Sequence, residues 1–201
     1  MTKLGRPVVM TAEERRKEIL NAAEKLFGEK GFEHVTMSEI AEAAGMSKKT
    51  LYVHFTDKQE LFKSLVISSY IWSDDAFQEV SEDPIDQLKE CLYMIANHVL
   101  SERHIKLCRL TIVGQLGMEG LADTFYEMGI STSRDHLIEC IERIPEQQKL
   151  LKLSSDSLAD MLFGASIAKA FIDSLFMKRQ GEELKDIYQK INNSVDALFR
   201  T

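Results

Sequence analysis

The chain has 201 residues, 44% hydrophobic and 28% charged, the make-up of an ordinary folded protein with enough apolar material for a sizeable core. Its net charge of -7 argues against a uniformly basic nucleic-acid binder, but the charge is uneven: residues 1–63 carry 11 Lys and Arg against 10 Asp and Glu, the remainder 14 against 22. Three widely spaced cysteines, Cys91, Cys108 and Cys140, exclude a disulfide framework or a Cys/His finger and fit a reducing cytoplasm.

The N-terminus, MTKLGRPVVM, lacks the apolar core of a signal peptide. Residues 1–10 read as an arm, with Lys3 and Arg6 able to reach phosphate or a minor groove. Thr11 followed by Glu14 is a capping box. It opens a helix with Ile19, Leu20, Ala22, Ala23, Leu26 and Phe27 on its apolar face, ending at Lys30-Gly31.

From Thr36 a short amphipathic run carries Met37, Ile40, Ala41 and Ala44, and Gly45 breaks it. Ser47 is a good N-cap for a second short helix bearing Lys48, Lys49, Thr50, Leu51, Tyr52, His54 and Phe55. Two short helices around a glycine turn are a helix-turn-helix. The second is apolar at Leu51 and Phe55 and polar or basic elsewhere, so one face can sit in a core while the other enters a DNA groove. An acidic body does not forbid this, because charges are screened beyond about 10 Å at ordinary salt.

Thr56-Asp57 opens a helix expected to run as one rod to about residue 81, past Trp72 and Phe77. Pro84 restarts the chain near the first position of a new helix. Further helices are expected over about 84–102, 104–116, 119–143, 154–179 and 183–199, with breaks at Arg103-His104, Gly117 and Pro145 and a cap at Ser154-Ser155-Asp156. Gly and Pro are scarce and no strand-like alternation is sustained, so the fold class is all-α. The most apolar stretch, 158–177, contains Asp160, Lys169 and Asp173. Each would cost roughly 2.5–3.5 kcal/mol at a bilayer centre, so it reads as a buried helix and not a membrane span.

The stretch ILNAAEKLFGEKGFEHVTMSEIAEAAGMSKKTLYVHFTDKQELF resembles the DNA-binding domain of the TetR/AcrR family of bacterial transcriptional regulators. The likeness rests on Ala22-Ala23, Leu26-Phe27, Gly31-Phe32, Thr36, Ile40-Ala41, Ala44-Gly45, Ser47-Lys48, Leu51-Tyr52, Phe55, Lys58 and Leu61, and covers about the first third of the chain. It implies an arm at 1–10, a helix-turn-helix domain at 11–56 and an effector-binding and dimerisation domain at 57–201. Thr36 is expected to hold a phosphate at a helix N-terminus. Ser47, Lys48, Lys49 and Thr50 begin the recognition helix, where Lys can donate to guanine O6 and N7 and the Thr methyl can touch thymine. Tyr52 and His54 are expected on the backbone, and Lys58 is the family's recurrent phosphate contact.

Segment 104–141 is similar, more weakly, to the ligand-binding part of AcrR-like efflux regulators. Family position makes Trp72, Met94, His98, Arg109, Ile112, Gln115, Leu116, Phe125, Tyr126, Phe163 and Ile167 the candidates for an effector pocket. Met and aromatic residues at helical spacing can equally be plain core, and Arg109 can form an ordinary ion pair. The family pairs its last two helices with their copies in a homodimer. That implies an interface of Met161, Gly164, Ala165, Ala168, Phe171, Ile172, Leu175, Ile187, Ile191 and Val195, although some must be intramolecular core.

His104 and Cys108, four apart, have a metal-compatible spacing with no further ligand in view. The cysteines sit among apolar residues and read as core. No GxSxG, P-loop, HExxH or paired-glycine nucleotide motif is present, so neither an enzyme nor a cofactor is expected. The resemblance therefore implies a cytoplasmic, ligand-responsive repressor. Its partners are double-stranded palindromic operator DNA and a small hydrophobic or amphipathic effector, with no membrane partner. The alternatives are a helical small-molecule-binding protein or enzyme with a vestigial head, and a DNA-binding activator or DNA-organising factor.

Overall fold

A computed structural model describes residues 10–69, 81–114, 123, 125–177 and 183–200, and the regular structure among them is helical, as expected. Helix α1 spans Ala12–Lys30 behind the Thr11–Glu14 capping box and stops at Gly31, whose φ of 80° lies in the region that favours glycine. Helices α2 (Met37–Ala43) and α3 (Lys48–His54) follow. Between them Gly45, at φ 64°, turns the chain and Met46 N–H donates to the Ala41 carbonyl at 2.9 Å. Helix α4 (Lys58–Ser69) is started by Asp57, whose carboxylate accepts from the Glu60 N–H at 2.7 Å. Its predicted continuation to residue 81, including Trp72 and Phe77, lies outside the described residues, as do Lys3 and Arg6 of the arm and the break at Gly117.

Helix α5 (Pro84–Val99) is capped by Asp83 with proline in its first turn. It ends three residues earlier than expected: Ser101 takes the cap role, accepting from the His104 N–H, and α6 starts at Glu102 and runs to Gly114. Helix α7 enters as Tyr126–Ser131 in wider π geometry and continues as Thr132–Glu142. Helix α8 is Ser155–Phe163, a second π segment Gly164–Ala168, then Lys169–Phe176. Helix α9 is Leu184–Leu198. After it, Phe199 bridges back to Lys149, and Arg200 N–H donates to the Gln148 carbonyl.

Two apolar cores result. The head core gathers α1 to α4 around Phe27, Phe32 and Phe62, whose rings sit 5.3–5.4 Å apart, a separation at which aromatic edges and faces attract. The body core joins α5, α7, α8 and α9 through Leu88, Leu92, Ile141, Leu162, Ile187, Ile191 and Val195. A division at 56/57 would cut the head core, because Leu61, Phe62, Leu65 and Val66 of α4 and Leu107 of α6 are buried in it.

Helix α6 joins the two. It packs on α1, α4, α5 and the last part of α8. Arg103 pairs with Glu24 of α1 at 3.0 Å. Arg109 donates to the carbonyls of Ser174 at 2.6 Å and Leu175 at 2.9 Å. Those carbonyls belong to the last turn of α8, where a cation also meets the negative end of the helix dipole.

Candidate nucleic-acid interface and body cavity

Helix α3 is held from beneath. Leu51 and Phe55 are buried. Arg16 of α1 lies 4.2 Å over the Phe55 ring, donates to the His54 carbonyl at 3.1 Å and reaches the Ser64 hydroxyl at 2.9 Å. One guanidinium thereby satisfies the end of α3 and ties it to α1 and α4. At the other end Ser47 accepts from the Thr50 N–H at 3.1 Å, and its hydroxyl also meets that of Thr50 at 2.8 Å. This fixes the helix as a rigid ridge.

The outward face carries Lys48, Lys49, Tyr52 and Val53. Tyr52 is 45% and Val53 77% exposed, and the Lys48 ammonium lies 5.8 Å from the Tyr52 ring centre. Thr50 and His54 are half-buried at its margin. Sequence reasoning passed over Val53 because an apolar residue in a short helix reads as core. Its position one after Tyr52, on the side opposite Leu51, is the signal that places it outside.

Two expected phosphate contacts look different in three dimensions. Thr36 caps α2, but its hydroxyl accepts from the Glu39 N–H at 3.2 Å and donates to the Glu39 carboxylate at 2.9 Å. That carboxylate also accepts from the Thr36 N–H, and Lys30 pairs with it at 2.8 Å. Lys30 and Thr36 together pull its pKa down to about 2, so the start of α2 is closed by the chain's own anion. Lys58 turns inward, donating to the carbonyls of Phe32 at 2.8 Å and Glu33 at 3.4 Å, 4.2 Å over the Phe32 ring. Of the three donors of an ammonium, one remains for a phosphate.

In the body a cavity of about 410 Å³ opens between α5, α6, α7 and α8, within the size range of small-molecule sites. Of the expected pocket residues Phe125, Tyr126 and Phe163 line it. Met94 and His98 are half-buried and are not among its lining residues, Ile112 is 57% exposed and Ile167 is fully buried in the body core. Trp72, Gln115 and Leu116 lie outside the described residues. Arg109 belongs to the end of α8 instead, donating to backbone carbonyls there, and it is not among the residues that line this cavity. Not foreseen as lining were Ile95, Val99, His104, Ile130, Leu137 and Phe171. Both π segments face the cavity, through Tyr126, Gly129 and Ile130 on one side and Gly164 on the other. No spacing rule in the sequence announces such a widened turn, and such turns are frequent at functional sites.

His104 is only 4% exposed. It lies 4.6 Å from the His98 ring, 5.8 Å from Phe125 and 6.1 Å from Phe171. Burial, with a smaller contribution from His98, lowers its pKa to about 4. Burial and then the Arg103 charge lower that of His98. Both imidazoles are therefore neutral near pH 7. The Cys108 thiol is pushed up to about 12 by burial. Among the described residues no group of three or more His, Cys, Asp or Glu is placed to hold a metal, and no helix is long and apolar enough to cross a membrane.

The expected interface divides. On α8, Met161, Gly164, Ala165 and Ile172 are exposed and Ala168, Phe171 and Leu175 half-buried. On α9, Ile187, Ile191 and Val195 are fully buried in this chain's own core. This corrects the expectation for those three: α9 has one apolar stripe, and it faces inward.

The family model described as bacterial regulatory proteins, tetR family, matches residues 19–65. The chain is 36% identical over 92 residues to the HTH-type transcriptional regulator TtgR of Pseudomonas putida. That match spans 45% of this chain and 43% of TtgR, so it covers under half of either protein. Among solved structures, a Mesorhizobium loti protein assigned to the TetR-family transcriptional regulators superposes with a TM-score of 0.77 at 25% identity, covering 92% of this chain and 95% of that one. NalD, the secondary repressor of the MexAB-OprM multidrug efflux pump in Pseudomonas aeruginosa, gives 0.67 at 25% identity, covering 94% and 98%.

Proposed function

We propose that this chain is a member of the TetR family of bacterial regulatory proteins, whose model matches its head and whose solved structures it resembles, and that it is a cytoplasmic DNA-binding transcriptional repressor released from its operator by a small-molecule effector. The observation that carries the reading is the outward face of α3, where Lys48, Lys49, Tyr52 and Val53 project from a helix pinned at both ends. Such a ridge fits a major groove. Lys48 and Lys49 are placed to donate to base edges, Val53 to meet a thymine methyl, and Tyr52 and His54 to flank the backbone. Ser47 and Thr50, spent on each other, set the ridge and leave their outer edges for contact. Lys58 offers its remaining donor to phosphate. A phosphate at Thr36 needs Glu39 to swing aside.

One head reads few bases, so a homodimer on a palindrome completes the function. The exposed apolar face of α8, with Met161, Ile172 and the 81% exposed Phe176, supports association through that helix. The body cavity is the effector site in this reading. It touches α6 at His104, one turn before Leu107 enters the head core, so a ligand that favours one setting of α6 biases the heads by its differential affinity.

Fluorescence anisotropy with the DNA upstream of the protein's own gene tests the proposal. The wild-type chain is expected to bind a palindrome there. Lys48→Ala with Tyr52→Ala is expected to weaken binding by roughly 100-fold or more, with an unchanged thermal midpoint. Equal binding by the double variant, or no palindrome bound at low salt, sinks it.

A further inference from the structure

We infer that the body cavity is built for an uncharged, largely aromatic ligand and rejects anionic and cationic amphiphiles of the same shape. The inference rests on reading the cavity as the effector site and goes beyond it to the chemical class of the effector.

The walls divide into an apolar interior and a polar mouth. Inside are Ile95, Val99, Leu137, Phe163 and Phe171, all buried or half-buried. The deepest polar side chain is His104, and at neutral pH its imidazole is uncharged. A neutral imidazole is a poor counter-ion for a charge of either sign.

The charges at the mouth already answer each other. Arg134 holds Asp156 at 2.6 Å and Asp160 at 3.2 Å. An anion reaching Arg134 must compete with two carboxylates, and a cation reaching Asp160 meets the guanidinium beside it. Both aspartates remain well exposed, at 61% and 68%, so water screens what net field the trio has.

The widened turns are closed in the same way. A π segment leaves carbonyls off the ordinary helical ladder. Here the Ser133 hydroxyl donates to the Gly129 carbonyl at 2.7 Å, and Ser166 donates to that of Leu162 at 2.6 Å. The turns therefore supply space, with Gly129 and Gly164 carrying no side chain into it, and little unspent polarity. A charge brought inside loses its hydration without gaining a partner among the described residues, which disfavours it steeply. A flat apolar ring system gains the whole surface.

Three probes on one skeleton test this with the full chain: biphenyl-4-ol, biphenyl-4-carboxylate and biphenyl-4-ylmethylammonium, each titrated calorimetrically at pH 7.5. The phenol is expected to bind at least about tenfold tighter than either ion. In Ile130→Asp, which puts a charge on a half-exposed wall position without touching the core, the phenol is expected to weaken and the ammonium probe to gain on it. A charged probe that equals or beats the phenol in the wild type, while responding to Ile130→Asp, overturns the assignment of ligand class and leaves the cavity as the effector site. Binding of all three unchanged by Ile130→Asp overturns the cavity itself as the site. A wild type that takes up none of the probes overturns the class.

Discussion

The head and the body are both helical, yet they are built by different means. In the head each helix start is made by residues three apart: Thr11 with Glu14, Thr36 with Glu39, Ser47 with Thr50, Asp57 with Glu60. In the body the decisive contacts join distant parts of the chain, such as Arg109 with Ser174 and Leu175, Arg134 with Asp156 and Asp160, and Tyr188 with Asn97. Local capping fixes where short helices start and stop, which a reading surface needs. Long-range polar ties hold long helices around an opening, which a binding cavity needs.

The sharpest way to break that contrast is to damage one core and watch the other. Phe62→Ala removes the ring shared by Phe27 and Phe32. It is expected to cost about 3–5 kcal/mol, read as earlier loss of amide protection in α1 to α4 during hydrogen exchange. Protection in α5, α7 and α9 is expected to persist to higher denaturant. Simultaneous loss everywhere would mean that α6 makes head and body one cooperative unit.

A second effect, of about 2 kcal/mol at pH 5, belongs to the body alone. His104 has its folded pKa lowered to about 4, and His98 is lowered as well. As pH falls below about 6.5 the unfolded chain takes up protons before the folded one does, so stability falls with pH from about 6.5 to about 4. Urea midpoints at pH 7 and pH 5 should show the drop, and His104→Gln should remove most of it. An unchanged slope in that variant would assign the acid sensitivity elsewhere.

These two predictions also mark how much the sequence discloses. The Thr11–Glu14 capping box, the Ser47 cap, Gly31, Gly45 and the buried pair Leu51 and Phe55 were legible, because helix ends and amphipathic faces are written within a few residues; the second box, Thr36 with Glu39, was not read as one. The cavity was legible only at Phe125, Tyr126 and Phe163. His104 reads only as a helix break and as half of an incomplete metal spacing until Phe125 and Phe171 close over it. The π segments leave no spacing signature, and Arg109 finds its partners 65 residues away. Ile187, Ile191 and Val195 show the limit of periodicity: it reveals an apolar stripe and is silent on whether the stripe meets its own chain or a copy.

A further test, of assembly, follows from that silence. Ile172→Asp charges a side chain that is 49% exposed on α8. It should leave the urea midpoint within about 0.5 kcal/mol of wild type while shifting sedimentation toward the monomer and lowering operator affinity. Ile191→Ala should do the reverse, costing about 2–5 kcal/mol of stability through a cavity in the body core. If both variants destabilise the isolated chain alike, the face of α8 is not the free surface it is read as.

The smallest expected effect bears most directly on how the head meets phosphate. Thr36→Ala removes a cap and should cost about 1 kcal/mol. If Thr36 gripped phosphate directly, operator affinity would fall with it beyond what stability explains. In the geometry found here Glu39 occupies that position as an ionised carboxylate, held by Lys30 and by both donors of Thr36. Glu39→Gln keeps an acceptor for the capping box and deletes the charge. It is expected to tighten DNA binding about two- to fivefold at low salt, with the gain fading as ionic strength rises. A loss of affinity in Glu39→Gln would show instead that the carboxylate presents Thr36 to the backbone, as a positioning residue for the contact first expected there.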